Sequence, residues 1–337
     1  MMLAHYNSII EHYTYHCNDR SALARWISVK IAPHVDAWIP STITPNQITA
    51  SAASLAIAMT VILFLAPSDW SIAALPSGAF LIMTYCILDH VDGQRARRLK
   101  QSTPWGEFLD HGVDAGVVGL VASAVLISGP AKDIAPQYSV YFISSLGIAT
   151  VTLWGEQYMT GQLNLPRIGP VEGVFFSAFY MLACLLPEIN ILSYQIVEYV
   201  SGIEALLFVI STAILGAAVY RLVTITGVAR QVWPFLLTFA LVSIAAAVHP
   251  KMQALWMIIL ALSILNHASL IIFAHLARAP QVYRHGLLII TAAFLLPGIL
   301  IFSTTQFFWV ALTPCFLATS TARTWHSAWQ NFRPVTR

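Results

Sequence analysis

The sequence predicts an all-α membrane protein of about ten transmembrane helices, with an N-terminal amphipathic helix lying in the membrane interface. Three observations predict it. Hydrophobic residues make up 58% of the 337-residue chain and charged residues only 9%, where a soluble domain carries about 25% charged residues. Apolar runs recur at about the 20 residues that a helix needs to cross a bilayer. The Lys and Arg residues also crowd into alternate connections between those runs, the asymmetry that orients membrane helices.

The elements follow in order. From Ser21 to Trp38, apolar Leu23, Trp26, Ile27, Ile31, Val35 and Trp38 interleave with Arg25, Lys30 and Asp36. That pattern is an amphipathic helix, and its two tryptophans suit the headgroup level. Spans are then expected at 47–65, 71–89, 108–128, 137–158, 170–187, 203–220, 232–249, 252–276, 285–302 and 306–323, with 188–202 ambiguous and suited to an interfacial piece. Pro40, Pro45, Pro187, Pro250 and Pro280 fall at or between these boundaries, as helix punctuation should. Of the 17 Lys and Arg residues, all but Lys132 and Lys251 lie on one side of this arrangement. The positive-inside rule then puts both termini in the cytoplasm.

Other classes fall away. A net charge of +2 is too small to imply nucleic-acid binding. Cys17, Cys86, Cys184 and Cys315 are scattered, with no spacing for zinc or for a disulfide framework. The first thirty residues lack a continuous apolar core, so no cleavable signal peptide is expected. A transporter would show charges near the midplane and repeat symmetry, and neither is visible.

The chemistry is concentrated between Asp89 and Asp114. Five of the fifteen acidic residues, Asp89, Asp92, Glu107, Asp110 and Asp114, fall there, between apolar stretches. Carboxylates next to membrane are costly and mark function. Asp89 and Asp92 are three apart, and Asp110 and Asp114 four apart, so on helices each pair shares a face. Glu107 and His111 share the face of Asp114. Facing pairs of carboxylates repel unless cations sit between them, and hard oxygen ligands suit Mg²⁺, Mn²⁺ or Ca²⁺ rather than zinc. Two such ions are a known device of phosphoryl chemistry. Between the pairs lie Gly93, which lets backbone approach a ligand, and the basic Arg95, Arg97, Arg98 and Lys100, which suit phosphate oxygens.

Asp89, Asp92, Gly93, Ala96, Arg97, Gly106, Asp110 and Asp114 match D-x2-D-G-x2-A-R-x8-G-x3-D-x3-D at every fixed position. The chain therefore resembles the CDP-alcohol phosphotransferases. The filling of the motif resembles the choline/ethanolamine phosphotransferase branch. So do Tyr15, Asp19, Arg20 and Ser21, the run Ile43–Thr49, Trp154–Gly161 and Gly169–Gly173, over about residues 15–175.

The resemblance implies that Asp89, Asp92 and Asp110 bind two divalent ions, Mg²⁺ or Mn²⁺, with Asp114 a further ligand or the base. It implies that Gly93, Ala96, Arg97 and Gly106 line the CDP moiety, together with Asp89 and Asn46, although Asn46 also suits a helix cap. An alcohol nucleophile needs a base, and His111 and Asp114 are the two candidates, histidine being better matched to neutral pH. Trp154, Glu156, Tyr158 and Glu107 are candidates to hold a choline or ethanolamine cation.

The implied reaction takes phosphocholine or phosphoethanolamine from CDP-choline or CDP-ethanolamine to diacylglycerol and releases CMP. A ceramide acceptor, or CDP-diacylglycerol with a polar alcohol, are the sister reactions. One domain is expected over 1–337: an interfacial segment (1–46), catalytic helices (47–220) and supporting or dimerising helices (221–337), in a homodimer with its site on the cytoplasmic face. Organelle and organism are left open.

Overall fold

The computed structural model describes residues 16–66, 71–279 and 305–332. The described chain is helical. α1 (Ala22–Trp26), a π-helical turn (Ile27–Ile31) and α2 (Ala32–Trp38) follow one another as a strap. After it come α3 (Pro45–Leu65), α4 (Ser71–Arg98), α5 (Pro104–Leu126), α6 (Pro136–Thr160), α7 (Pro170–Ala183), α8 (Gly202–Thr224), α9 (Val228–Val248), α10 (Gln253–Leu276) and α11 (Thr305–Phe332). Among the described residues the strands are two short ladders. β1 (Cys17–Asp19) runs parallel to β2 (Leu163–Leu165), and β3 (Gln195–Val197) pairs antiparallel with β4 (Val200–Ser201).

Two compact units emerge, and they interleave along the chain. One comprises residues 1–132, 162–191 and 328–337; the other comprises 133–161 and 192–327. In the first, α3 packs along both α4 and α5, and α7 along α4. The core is built from Ala52, Ala56 and Met59 of α3, Ala79, Ile82 and Cys86 of α4, Val117, Val121 and Ala124 of α5, and Val174, Ala178 and Met181 of α7. Small residues at the crossings let the helix backbones approach closely.

Local signals fix the ends that matter. The Thr44 hydroxyl accepts from the Gln47 N–H while the Gln47 carboxamide accepts from the Thr44 N–H at 2.8 Å, so Thr44, not Asn46, caps α3. α4 stops where Lys100 turns left-handed at φ 56° and the Gln101 N–H reaches the Ala96 carbonyl at 2.8 Å. α5 opens on a Thr103 cap with Pro104 in its first turn.

In the second unit α6 is the hub, packed against α8, α9 and α10. Gly147 makes this possible. A Cβ there would stand 2.7 Å from both Ile264 Cγ1 and Phe235 Cζ.

The expected ten spans are not borne out. Among the described residues six helices are long and apolar enough to cross a membrane: α3, α4 from Ile72, α5, α8, α9 and α10. A seventh is reached only if α7 and the 3₁₀ turn Pro187–Ser193, bent by 109° from it, count together. α6 has the length but not the composition. Packed on several sides, it carries Ser139, Ser144, Ser145, Thr152, Glu156 and Gln157 buried in the protein. α11 is likewise too polar, and 285–302 lies outside the described residues, as does Tyr15.

Candidate metal and donor site

The carboxylates lie where α4 ends and α5 begins. Asp89 and Asp92 are successive on one face of α4, and Asp110 comes from the second turn of α5. One oxygen from each of Asp89, Asp92 and Asp110 lies within 4.8 Å of the others. Asp92 is only 3% exposed. The Oδ1 atoms of Asp92 and Asp110 are buried with no hydrogen-bond partner. An orphaned, buried carboxylate oxygen is costly. Three such groups offering only oxygen fit a hard divalent cation.

Two hydroxyls hold the rim. Thr49 of α3 donates to Asp92 Oδ2 at 2.5 Å, so that Oδ1 is the oxygen left to the cluster. Tyr85, one turn before Asp89, donates to Asp114 Oδ1 at 2.6 Å. Asp114 is thereby anchored by a phenol; it touches Asp89 but is not among the three aspartates whose oxygens all lie within 4.8 Å of one another. Tyr85 was not singled out in the sequence, and Thr49 entered only as the last residue of the run Ile43–Thr49, without a role. Tyr85 could have been found from its i−4 position to Asp89; Thr49 lies on a different helix and gives no spacing signal.

Glu107 and His111 form a second pair one turn apart on α5, with His111 Nδ1 3.7 Å from Glu107 Oε1 and both side chains buried. On α4, His90 Nδ1 lies 2.9 Å from the Cys86 carbonyl and 3.8 Å from Asp89 Oδ2.

The basic run separates into different jobs. Arg95 and Arg98 do not form an open phosphate cluster. Arg95, 1% exposed, donates to Asp36 Oδ1 at 2.7 Å and to the carbonyls of Ile39 (3.3 Å) and Pro40 (2.5 Å). Arg98 donates to Asp36 Oδ2 at 2.9 and 2.6 Å. Both tie α4 to the strap, because Asp36 is a buried carboxylate that needs countercharge. Gln94 adds a bond to the Ser28 carbonyl at 2.6 Å. Arg97 is exposed and lies over Gly93, where an added Cβ would stand 3.4 Å from Arg97 Nη1. Ala96 lies beside it, partly buried. Asn46 reaches the start of α5, its Oδ1 3.3 Å from where a Cβ on Gly106 would sit. Glu172 caps α7 through the Gly169 N–H at 2.8 Å and accepts from the Ser21 hydroxyl.

The other headgroup candidates lie in the second unit. Glu156 is ion-paired with Arg221 of α8, Tyr158 donates to the Ala279 carbonyl at 2.6 Å, and Trp154 is buried.

A helical membrane protein with three converging aspartates at one end of two spans, one of them followed by Gly-x2-Ala-Arg, defines a class of metal-site transferases. The sequence comparisons say which. The model of the CDP-alcohol phosphatidyltransferase family matches residues 42–211, half of the chain. The chain belongs to that family.

Among its relatives, choline/ethanolaminephosphotransferase 1 of Arabidopsis thaliana is 30% identical over 195 residues, 52% of this chain and 46% of that protein. Choline/ethanolaminephosphotransferase 1 of Saccharomyces cerevisiae is 29% identical over 177 residues, 49% and 43% of the two chains. CDP-diacylglycerol–serine O-phosphatidyltransferase of Encephalitozoon cuniculi is 29% identical over 180 residues, 50% and 44%. In each case the alignment spans less than half of the relative's length.

Proposed function

We propose that the protein transfers a phospho-alcohol from a CDP-alcohol to a lipid hydroxyl and releases CMP, with CDP-choline or CDP-ethanolamine as donor and diacylglycerol as acceptor. The observation that carries this reading is the convergence of Asp89, Asp92 and Asp110 with two buried oxygens unpartnered, on the helix end where the exposed Arg97 guanidinium lies over Gly93. Family membership supports the reaction class, and the names of the plant and yeast relatives support the headgroup.

Asp89, Asp92 and Asp110 would hold the Mg²⁺ or Mn²⁺ ions, with Asp114 a further ligand or the acceptor of the proton. When bound, the cations neutralise the pyrophosphate. Gly93 and Gly106 leave room for the donor, and Ala96 and Asn46 line it. Arg97 reaches its phosphates with a fork of donors. The acceptor oxygen attacks the β-phosphorus, the bond to the CMP oxygen breaks, and the hydroxyl proton passes to a base.

His111 is that base in our reading. His111 Nδ1 lies 3.7 Å from Glu107 Oε1, a carboxylate placed to stabilise the imidazolium that forms when the ring takes the proton. Asp114 is the alternative. Glu107 is our candidate for the headgroup cation; Glu156 is already paired with Arg221, which leaves Trp154, Glu156 and Tyr158 of the second unit without a claim on it. A second reading, CDP-diacylglycerol with a polar alcohol, is favoured by the name of the Encephalitozoon relative; a ceramide acceptor is the other variant. A cytoplasmic site and a homodimer complete the proposal.

The test is purified protein in nanodiscs with labelled CDP-alcohols against a panel of lipid acceptors, following CMP and lipid product. CMP release with a phosphocholine or phosphoethanolamine lipid, abolished by EDTA, is expected; absence of release would overturn the reading. His111→Ala should lower turnover by about 10²–10⁴-fold with donor binding retained. If His111→Ala is near normal while Asp114→Asn is dead with its metal bound, Asp114 is the base.

A further inference from the structure

The strap has a feature that the transfer reaction does not use. Its outer face carries Arg25, Trp26, Val29, Lys30, His34 and Trp38, all exposed, with Trp38 at 90%. The strap's only carboxylate, Asp36, is buried and shared by two guanidiniums, so one positive charge is left over. Beside it a cavity of about 670 Å³ opens between α2 and the end of α4, lined by Trp38, Ser41, Gln94 and Arg98 among others. Arg98 is 57% exposed; its Nε and Nη2 are engaged by Asp36, and its Nη1 makes no hydrogen bond among the described residues. The strap leads directly into span α3 and packs on the end of span α4, which puts it at the level of the headgroups.

We propose that this cavity and face bind the headgroup of an anionic phospholipid, with Arg98 and the Ser41 hydroxyl toward its phosphate and Trp38 against its glycerol and upper acyl carbons. The chemistry is complementary: surplus cationic charge, no exposed carboxylate on the strap, and a large exposed indole, which prefers the boundary between water and lipid. A zwitterionic lipid offers the same phosphate but no net charge to match it. The ligand is a lipid and not the soluble donor, because the exposed apolar residues beside the cavity need acyl chain to cover them. Through the Asp36 link the bound headgroup would sit against the same helix end that carries Asp89 and Asp92.

The test reads tryptophan fluorescence of the full chain in phosphatidylcholine nanodiscs containing equal mole fractions of brominated phosphatidylglycerol or brominated phosphatidylcholine. The Trp38 contribution is assigned with Trp38→Phe. The expected result is several-fold stronger quenching of Trp38 by the anionic lipid, competed by unlabelled phosphatidylglycerol and not by CDP-choline. Arg98→Gln should weaken that preference about five-fold, one lost charge near an anionic surface, and Arg25→Gln with Lys30→Gln should weaken it further. Arg25 and Lys30 are exposed and make no side-chain hydrogen bond or ion pair among the described residues, so these variants retain the fold. Equal quenching by the two lipids, an undiminished preference in all three variants, or displacement by CDP-choline would each overturn the proposal. No turnover is needed, so it stands or falls separately from the transferase reading.

Discussion

Thr49 and Tyr85 decide which oxygen each neighbouring aspartate has left to offer. Thr49→Val removes the donor to Asp92 Oδ2 while keeping the shape of the side chain, so the carboxylate is free to rotate. Partners of this kind are worth about 10–100-fold in metal affinity. Mn²⁺ binding followed by electron paramagnetic resonance should weaken by that amount in Thr49→Val and stay near normal in Thr49→Ser. Unchanged binding in Thr49→Val would reduce Thr49 to packing. At this scale the sequence was legible where covalent spacing sets geometry. Asp89 and Asp92 could be foreseen on one face because a three-residue step on a helix leaves little freedom, and Asp110 of the next helix was expected beside them only through the motif's resemblance. Partners outside the motif could not be foreseen. Thr49 stands 43 residues from Asp92, and the charge of Arg95 and Arg98 was visible while their direction, toward Asp36, was not.

The strap and α4 act as one element, because a single carboxylate clamps two arginines. Asp36→Ala would leave Arg95 buried without its countercharge, and breaking a buried pair from one side costs about 3–5 kcal/mol. Thermal unfolding of the purified variant should shift down sharply, whereas Arg98→Gln, which touches the half-exposed partner, should shift it little. Equal shifts in the two variants would contradict this. In the other unit, Gly147→Ala pushes a methyl against Ile264 and Phe235, and overpacking of this kind costs about 1–3 kcal/mol; a similar fall in stability is expected, measured the same way. Helix existence was readable from apolar periodicity, and the amphipathic pattern from Ser21 to Trp38 did become a helical strap. Span identity was less readable. α6 keeps a spanning length with too many polar residues because protein, not lipid, surrounds much of it. α7 is cut short at Ala183, and the chain then bends by 109°.

Across the whole molecule, the all-helical class followed from composition, whereas the division into two units did not, because the chain passes between the units four times. The side of the membrane is the prediction that belongs here. The exposed turn after α4 lies at the aspartate end of two spans, and the positive-inside rule leads us to expect that end in the cytoplasm. In a background without the four native cysteines, Gln101→Cys should react with an impermeant maleimide only after the cells are opened. Labelling of intact cells would invert the topology.

The interleaving also dictates an order of manufacture. The ribosome releases α3, α4 and α5, with all the motif aspartates, before it has made the α7 residues Val174, Ala178 and Met181 that complete the same core. In between it delivers α6, whose partners α8, α9 and α10 do not yet exist. For that interval the nascent chain holds a cluster of acids beside an unfinished hydrophobic wall, together with a helix whose Ser144, Ser145, Thr152, Glu156 and Gln157 still lack the helices that will bury them. α6 therefore finds its packing partners later than α7, which follows it in the chain, finds its own.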